Sequence, residues 1–184
     1  SRKEKYDLSE ELIESLNIIK DQAVRAQDVA NSLMTFAQKK DFQLENLKMN
    51  DILKNTLSLI NVLFLKKNID VSMELAEGMS FVYGDKGQIS QVFFNILLNA
   101  RDALEKKGGN VKIKTHEKEG KIYIEIADNG HGIPEENIGK VFFPFFTTKD
   151  VDKGHGLGLS VSYGIIEKHN GELSVKCQKD QETI

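Results

Sequence analysis

The fold of this chain is decided by residues 88–104, Gln88-Ile89-Ser90-Gln91-Val92-Phe93-Phe94-Asn95-Ile96-Leu97-Leu98-Asn99-Ala100-Arg101-Asp102-Ala103-Leu104. An α-helix turns by about 100° per residue, so the polar side chains of this stretch fall in one narrow stripe, which we call the polar seam: Gln88, Gln91, Asn95, Asn99 and Asp102. Apolar side chains cover almost all of the remaining surface. The pattern predicts a mostly buried helix with one polar face.

The polar seam could face water, as most polar stripes on helices do. However, a solvated face usually carries Lys and Glu, and two Asn in a helix interior lower the helix propensity without improving solubility. We therefore interpret the seam as facing a ligand. Carboxamide and carboxylate oxygens at this spacing suit a magnesium ion that takes its other oxygens from water and phosphates, which makes a magnesium nucleotide the first hypothesis.

The composition is that of an ordinary soluble chain. Its 184 residues are 40% hydrophobic and 29% charged, with a net charge of −3 and a pI near 5.9, which argues against a nucleic-acid-binding module. The single cysteine, Cys177, excludes an intramolecular disulfide and favours a reducing compartment. No apolar run is long enough to span a bilayer and no signal peptide opens the chain, so we expect a cytoplasmic piece of a protein that could be longer.

The N-terminal region carries a heptad repeat. A helix start is predicted at Ser9-Glu10-Glu11, and small or apolar residues then recur at alternating spacings of four and three: Leu12, Leu16, Ile19, Ala23, Ala26, Ala30, Leu33 and Ala37. This seam predicts a helix of a bundle. It could fold back on its own domain or be shared with partner helices in a homodimer.

The remaining residues predict alternating helices and strands. Asn50 is expected to cap a helix that runs to about Lys67, and Gly171 to end a helix over Ser160–His169. The predicted extended segments are residues 43–48, Ile69–Leu75, Phe81–Tyr83, a hairpin of Val111–His116 and Lys121–Asp128 turning at Glu119-Gly120, and Glu172–Cys177. Together they predict an α+β sandwich with the helices on one sheet face.

A first glycine loop, Asp128-Asn129-Gly130-His131-Gly132-Ile133-Pro134, leaves the predicted strand Lys121–Asp128. Glycines permit a close backbone approach to a flat ligand, and the Asp128 carboxylate could accept the exocyclic amine of adenine. Asp-Asn-Gly is also ordinary turn chemistry, and this segment alone does not separate the two readings.

A second glycine loop, Gly154-His155-Gly156-Leu157-Gly158-Leu159-Ser160, opens the last predicted helix. Unpaired amides at a helix N-terminus form a phosphate site, although the spacing is neither that of a Walker loop nor that of a dinucleotide fingerprint. Between the loops lies Val141-Phe142-Phe143-Pro144-Phe145-Phe146-Thr147-Thr148-Lys149. It could belong to the core, but its lack of helix or strand period favours a lid in which Lys149 reaches phosphate oxygens.

Taken together, these motifs resemble the ATP-binding domain of two-component sensor histidine kinases, relatives of gyrase, the 90-kilodalton heat-shock chaperones and the mismatch-repair ATPases. Residues 95–103 resemble the N box, residues 128–134 the G1 box, residues 142–149 the F box and residues 154–159 the G2 box. The resemblance covers roughly residues 50–177 and implies a Bergerat-type sandwich at residues 43–184. It also implies that residues 1–42 contain only the second helix of the dimerisation and phosphoacceptor hairpin.

The resemblance assigns roles to individual residues. It implies that Asn99 holds magnesium, that Asn95 and Asp102 support the phosphates, and that Asp128 takes the adenine amine. Asn95, Asn99 and Asp102 would form the catalytic set. The other residues expected to contact ATP are Gly130, Gly132, Ile133, Phe142, Thr148, Lys149, Gly154, His155, Gly156, Leu157, Gly158 and Leu159.

The phosphoacceptor histidine is expected upstream of Ser1, because the four histidines, His116, His131, His155 and His169, all lie in the ATP-binding part. At its other end, the family usually adds a strand after the one predicted at Glu172–Cys177, whereas this chain stops at Ile184. We therefore expect a piece of a longer kinase.

The leading functional hypothesis is a protein-histidine kinase core. Gyrase-like ATPases carry a water-activating glutamate at the position of Asn95, and an amide cannot act as a general base. The expected partners are the receiver domain of a response regulator and a second copy of the chain, without nucleic acid or direct membrane contact. An ATPase with Asp102 as the base, or a nucleotide-binding dimerisation module without activity, are the alternatives.

Overall fold

The structure is a computed structural model that describes residues 12–13, 15–16, 18–19, 43–104, 108–149, 156–178 and 181–183, with only the backbone of residues 178 and 181–183. The chain divides into two units, Ser1–Lys39 and Lys40–Ile184. The described residues of the first unit are helical, and Leu12, Leu16 and Ile19 of the heptad seam are exposed. The remaining seam positions, from Ala23 to Ala37, lie outside the described residues.

The second unit alternates helices with strands. Its helices are α1 (Met49–Leu65), α2 (Lys86–Leu104), α3 (Glu135–Ile138) and α4 (Gly158–Lys168). Its strands are β1 (Leu44–Leu47), β2 (Ile69–Leu75), β3 (Val82–Asp85), β4 (Gly109–Lys118), β5 (Lys121–Asp128), β6 (Cys177–Gln178) and β7 (Gln181–Thr183).

The strands form one five-stranded sheet in the order β2-β4-β5-β7-β6 and a separate two-stranded sheet of β1 and β3. Strands β2 and β4 are parallel, and the other pairs are antiparallel. The β4–β5 hairpin turns at Glu119 and Gly120, both at positive φ, as a tight hairpin turn requires. The fold is the predicted α+β sandwich.

The core lies between the larger sheet and helices α1 and α2. Apolar residues at helical spacing form the buried faces of the two helices: Leu53, Ile60 and Phe64 on α1 and Leu97 on α2. These faces pack against the inward face of β4, which includes Ile113. This burial supplies most of the stabilisation of α1 and α2, because helix propensity alone contributes little. The helix α2 is thereby fixed on the sheet with its polar seam turned away from the core.

The start of α2 is tied to the end of α4. The Asp85 carboxylate accepts the N–H of Gln88 at 2.9 Å and so caps α2. The backbone N–H of Asp85 donates to Nε2 of His169 at 2.9 Å, and Nδ1 of His169 donates to the carbonyl of Ile165 at 2.7 Å. Gly84 leaves room for the ring, since a Cβ there would come within 2.8 Å of His169 Cδ2.

The structure corrects two predicted helix ends. Asn50 does not cap α1 but lies inside it; its side chain donates to the Ala76 carbonyl at 2.8 Å and accepts from the Thr115 hydroxyl at 2.9 Å. At the end of α4 the left-handed residue is Asn170, at φ 56°, while Gly171 donates to the carbonyl of Ile166. The two hydrogen bonds of Asn170 and Gly171 form a Schellman motif.

The structure also corrects the C-terminal strand. Of the strand predicted at Glu172–Cys177, only Cys177 is paired, as part of β6. The chain was expected to lack a further strand after this one. Such a strand is present as β7, whose Thr183 pairs with Asp128. Among the helices of the described part of the chain, none is long and apolar enough to cross a membrane.

Candidate nucleotide site

The polar seam of α2 faces other parts of the protein rather than open water. Its five side chains are all partly buried. The Nδ2 atom of Asn95 donates to the Gly158 carbonyl at 3.0 Å and to the Ser162 hydroxyl at 3.2 Å, while its Oδ1 accepts from Gln91 at 3.0 Å. Within the described residues, Oε1 of Gln88 is buried without a hydrogen-bond partner. The first half of the seam therefore lies against α4.

The second half of the seam holds a lysine. The ammonium of Lys149 donates to Asp102 Oδ2 at 2.6 Å and to Asn99 Oδ1 at 3.3 Å. The other oxygen of Asp102 accepts from the guanidinium of Arg101. These side chains are 23–30% exposed, so the ion pairs are less screened than surface pairs. The oxygens of Asn99 and Asp102 thus already converge on a cation.

The first glycine loop is anchored on α2. Asp128 ends β5 and is buried, and its Oδ1 accepts the N–H of Gly130 at 3.0 Å. Gly130 touches α2 so closely that a Cβ would lie 2.7 Å from both the Cβ and the carbonyl oxygen of Ala103. Since the φ of Gly130 is not positive, close packing is what requires glycine here. The contact places the Asp128 carboxylate beside the last turn of α2.

Burial raises the pKa of Asp128 above the ordinary carboxyl value, although the Gly130 N–H and the charge of His131 oppose the shift. Gly130 binds Oδ1, and no hydrogen bond to Oδ2 is present among the described residues. The second oxygen is therefore the one that can accept a hydrogen bond from a ligand. A buried acceptor at the end of a strand, next to flexible backbone, is suited to read an amine on a planar ring.

The remaining residues of this loop make local contacts. Gly132 adopts φ 70°, Nδ1 of His131 is 2.8 Å from the Gly132 carbonyl, and the N–H of Ile133 donates to Cys177 Sγ at 3.3 Å. Cys177 was not predicted to touch the site, since it lies 44 residues further along the chain.

The phenylalanine-rich segment is attached to α4 through Phe142, whose ring lies 5.2 Å from that of Tyr163. Phe143 and Phe145 are more than half exposed, so only part of the segment is core. Phe145 has φ 66°, and its N–H donates to the Gly156 carbonyl at 3.0 Å. Gly156, at φ 65°, has no room for a Cβ beside the Phe146 carbonyl. The contact between Phe145 and Gly156 joins the phenylalanine-rich segment to the second glycine loop.

The second glycine loop is described from Gly156 onward. Gly158 begins α4, and Leu157 and Leu159 on either side of it are partly buried. Thr148 is exposed, while the Thr147 hydroxyl accepts the N–H of Lys149 at 3.1 Å. Gly154 and His155 lie outside the described residues.

The described residues contain no cluster of three or more His, Cys, Asp or Glu side chains that could hold a metal ion by themselves. A cation in this site would take oxygens from Asn99 and Asp102 and the rest from a ligand or water, which is how magnesium usually binds with phosphates. The Lys149 ammonium between these two oxygens shows that the donor set attracts a positive charge. The residues present therefore fit a magnesium ion.

Comparison with known proteins gives the family. Residues 84–184 match the family model described as histidine kinase-, DNA gyrase B-, and HSP90-like ATPase, and the chain belongs to that family. Sporulation kinase E of Bacillus subtilis (strain 168) is 31% identical over 170 residues, which are 91% of this chain and 22% of the relative. Sensor kinase CckA of Brucella abortus (strain 2308) is 33% identical over 168 residues, covering 83% of this chain and 18% of the relative. The chain thus spans about a fifth of the length of these curated relatives.

Solved structures agree with the family. The catalytic domain of histidine kinase ThkA is 32% identical, with a TM-score of 0.66, over 78% of this chain and 91% of that one. ThkA solved in complex with the response regulator TrrA is 26% identical, with a TM-score of 0.78, over 98% of this chain and 52% of that one. The predicted resemblance to the ATP-binding domain of sensor histidine kinases is confirmed.

Gly130→Ala is expected to lower the free energy of unfolding by about 1–3 kcal/mol, because its new methyl group would overlap the backbone of Ala103. Gly139→Ala is the matched control: Gly139 has a helical φ of −70° and open space within 4 Å of an added Cβ. Denaturant unfolding of both variants checks the prediction. Equal stabilities would show that the loop can shift away from α2 without cost.

Asp128→Asn is expected to preserve or raise stability at neutral pH while weakening adenosine binding about tenfold or more. A raised carboxyl pKa contributes stability below the unfolded-state pKa, and this contribution is lost as pH rises through the folded-state pKa. The amide avoids that loss and can still accept the Gly130 N–H, but it would present an NH₂ donor to the adenine amine.

Unfolding at pH 5 and pH 8, together with calorimetric titration of adenosine, measures both effects. Replacement of the exposed Asp70 by Asn is the control. Unchanged adenosine affinity in Asp128→Asn would contradict the prediction that Asp128 accepts the adenine amine.

Proposed function

We propose that this chain is the ATP-binding part of a protein-histidine kinase, in which residues 43–184 hold magnesium ATP and residues 1–42 supply part of a dimerisation helix. The γ-phosphoryl group would pass to a histidine on the preceding helix of a longer kinase and then to an aspartate in the receiver domain of a response regulator. We further propose that this part of the protein is cytoplasmic and works in a homodimer.

The observation that carries the proposal is the convergence of three segments on one face of α2. Asn95 meets the first residue of α4, Lys149 meets Asn99 and Asp102, and Gly130 meets Ala103. A helix N-terminus, a lysine and a buried acid therefore lie along about two turns of one helix. They provide a phosphate site, a counter-charge and an acceptor for a base, in that order along α2.

The phosphates would lie between α4 and Lys149. Unpaired amides at the start of α4, together with Gly156, Leu157, Gly158 and Leu159, would bind phosphate oxygens. Lys149 is proposed to leave Asp102 and Asn99 for the phosphates when Asn99 binds a metal. Gly154, His155 and Thr148 are proposed to contact the nucleotide on the family resemblance alone.

Asn99 is proposed as the protein ligand of magnesium through Oδ1, with Asp102 supporting the phosphates. A magnesium ion held there would supply positive charge that offsets the charge of the phosphates during transfer. Asp128 would accept the adenine amine, and Gly130, Gly132 and Ile133 would form the wall of the base pocket, with Phe142 anchoring the segment on the phosphate side.

The site is better suited to phosphoryl transfer than to hydrolysis. Asn95 cannot accept a proton, and its Nδ2 is directed at α4. The other candidate base, Asp102, is held in ion pairs with Arg101 and Lys149, which supports a role in arranging charge around the phosphates rather than in activating water. Positioning and electrostatics are most of what phosphoryl transfer requires.

The partners are proposed on two grounds. The related kinase ThkA has been solved with a response regulator and matches 98% of this chain, which supports a receiver domain as the downstream partner. Leu12, Leu16 and Ile19 are exposed at heptad spacing, and apolar residues in that arrangement are typical of helices that pair in a bundle, which supports a homodimer.

Asn99→Ala is expected to abolish the magnesium dependence of nucleotide binding, because it removes the amide oxygen that would hold the metal. Titration of ADP in the presence of magnesium and in the presence of EDTA measures the effect. Asn55→Ala, at an exposed position of α1, should keep the dependence of the parent chain. An Asn99→Ala variant that retains it would contradict the metal assignment.

The proposed activity is tested by adding magnesium ATP labelled at the γ-phosphate to this chain, alone and with a peptide that contains the phosphoacceptor helix of the parent kinase. We expect acid-labile, base-stable label on the histidine of that peptide. Free phosphate appearing at one rate with and without the peptide would instead identify an ATPase. Nucleotide binding without any turnover would identify a passive binding module.

A further inference from the structure

Asn95 and Ser162 form a hydrogen-bonded pair between α2 and α4 that no role assigned so far uses. Ser162 is fully buried, and its hydroxyl donates to the Gly158 carbonyl at 2.8 Å. The same hydroxyl accepts one proton of Asn95 Nδ2 at 3.2 Å, and the Gly158 carbonyl accepts from Nδ2 at 3.0 Å. One amide nitrogen thus binds two acceptors near the start of α4.

The amide of Asn95 is held in one orientation. Its Oδ1 accepts from Gln91 at 3.0 Å, so the oxygen faces its own helix and the nitrogen faces α4. A flipped amide would place an oxygen against the Gly158 carbonyl and an NH₂ group against the NH₂ of Gln91, and both contacts would be unfavourable.

At Asn95, these hydrogen bonds rather than a tight steric fit of Gly158 hold the start of α4 on α2. A Cβ built on Gly158 would lie 3.7 Å from Asn95 Cβ and Cγ, which is ordinary van der Waals distance. The contact at Gly158 thus has no steric interlock that would duplicate the restraint from the amide and the hydroxyl. The far end of α4 is fixed separately by His169 at Asp85.

The position of this contact matters for the proposed site. Asn95 and Asn99 are four residues apart and share one helix face, so the contact lies about 6 Å along α2 from Asn99. Fixing Gly158 at Asn95 consequently sets the distance between the amides at the start of α4 and the amide oxygen of Asn99. Those are the two groups that would hold the phosphates and their metal.

We propose that Asn95 and Ser162 are positioning residues that fix the phosphate-binding start of α4 against α2, and that Asn95 does not itself contact the nucleotide. This inference rests on the proposed function and deepens it. It explains why position 95 requires an amide: a carboxylate there would place a charged acceptor against the Gly158 carbonyl, whereas Asn95 supplies two donors. Ser162 becomes part of the site through its hydroxyl.

The test compares a nucleotide with its nucleoside, using the full chain. Ser162→Ala, Asn95→Ala and the double variant are titrated with magnesium ADP and with adenosine. Each single variant is expected to weaken magnesium ADP about threefold to tenfold, as the loss of neutral hydrogen bonds implies, and to leave adenosine unchanged. The double variant should lose less than the product of the single losses, because both remove one contact.

Thr56→Val is the matched control. Thr56 is also a buried hydroxyl that donates to the carbonyl four residues before it, at 2.9 Å, but it lies in α1. It should change neither affinity. All three substitutions are neutral, so charge repulsion with phosphate cannot produce the result.

Four outcomes would overturn the inference. Loss of magnesium ADP affinity in Asn95→Ala with none in Ser162→Ala would mean that Asn95 touches the nucleotide directly. Equal losses for adenosine and magnesium ADP would mean that the pair only stabilises the fold. A parent chain that binds adenosine but not magnesium ADP would overturn the proposed function and this inference with it, whereas normal binding by the parent and by every variant overturns the inference alone.

Discussion

The structure depends on one helix being buried on most of its surface while a single face stays polar. Leu97 and Phe93 fix α2 to the core, and this leaves Asn95, Asn99 and Asp102 no freedom to turn toward water. Polar groups on such a face need neighbours as partners: α4 binds the Asn95 amide, and Lys149 binds Asn99 and Asp102. The assembly of the site is thus a consequence of satisfying the buried side of α2.

This arrangement places costs on stability where ligands are expected. Burial raises the pKa of Asp128 and so disfavours its charged form, and Oε1 of Gln88 has no partner among the residues that the structure describes. Such groups are disfavoured in a protein that only has to fold. The buried Asp128 carboxylate beside the first glycine loop distinguishes this region from the apolar core at Phe64 and Ile113.

Local patterns predicted most of the architecture. The α2 helix, the β4–β5 hairpin and the strand Ile69–Leu75 follow from periodicity and turn chemistry that are readable within a few residues. The wrong predictions concern segments whose structure depends on partners far away in the sequence. Asn50 looks like a cap because its partner Thr115, which is 65 residues away, is invisible to a local pattern, and β7 is too short and polar to be recognised without β5 beside it.

The same reasoning applies to the site. The glycine loops and the polar seam were predicted from residue types, whereas the contacts between them were not. Lys149 is 47 residues from Asp102, and Ser162 is 67 residues from Asn95. Ser162 carried no signal at all, since a serine in a helix is ordinary until its hydroxyl is seen to face a second helix.

The tie between His169 and Asp85 gives the molecule a natural spectroscopic label. Because Nε2 accepts a backbone N–H and Nδ1 donates to a carbonyl, the ring is held as a single tautomer whose two nitrogens differ in chemical shift. Those resonances record whether α4 still rests on the start of α2, far from the glycine loops. The chemical shifts of this one imidazole can therefore show whether the two helices respond to nucleotide as a rigid body or separate at their phosphate end. No foreign probe is needed.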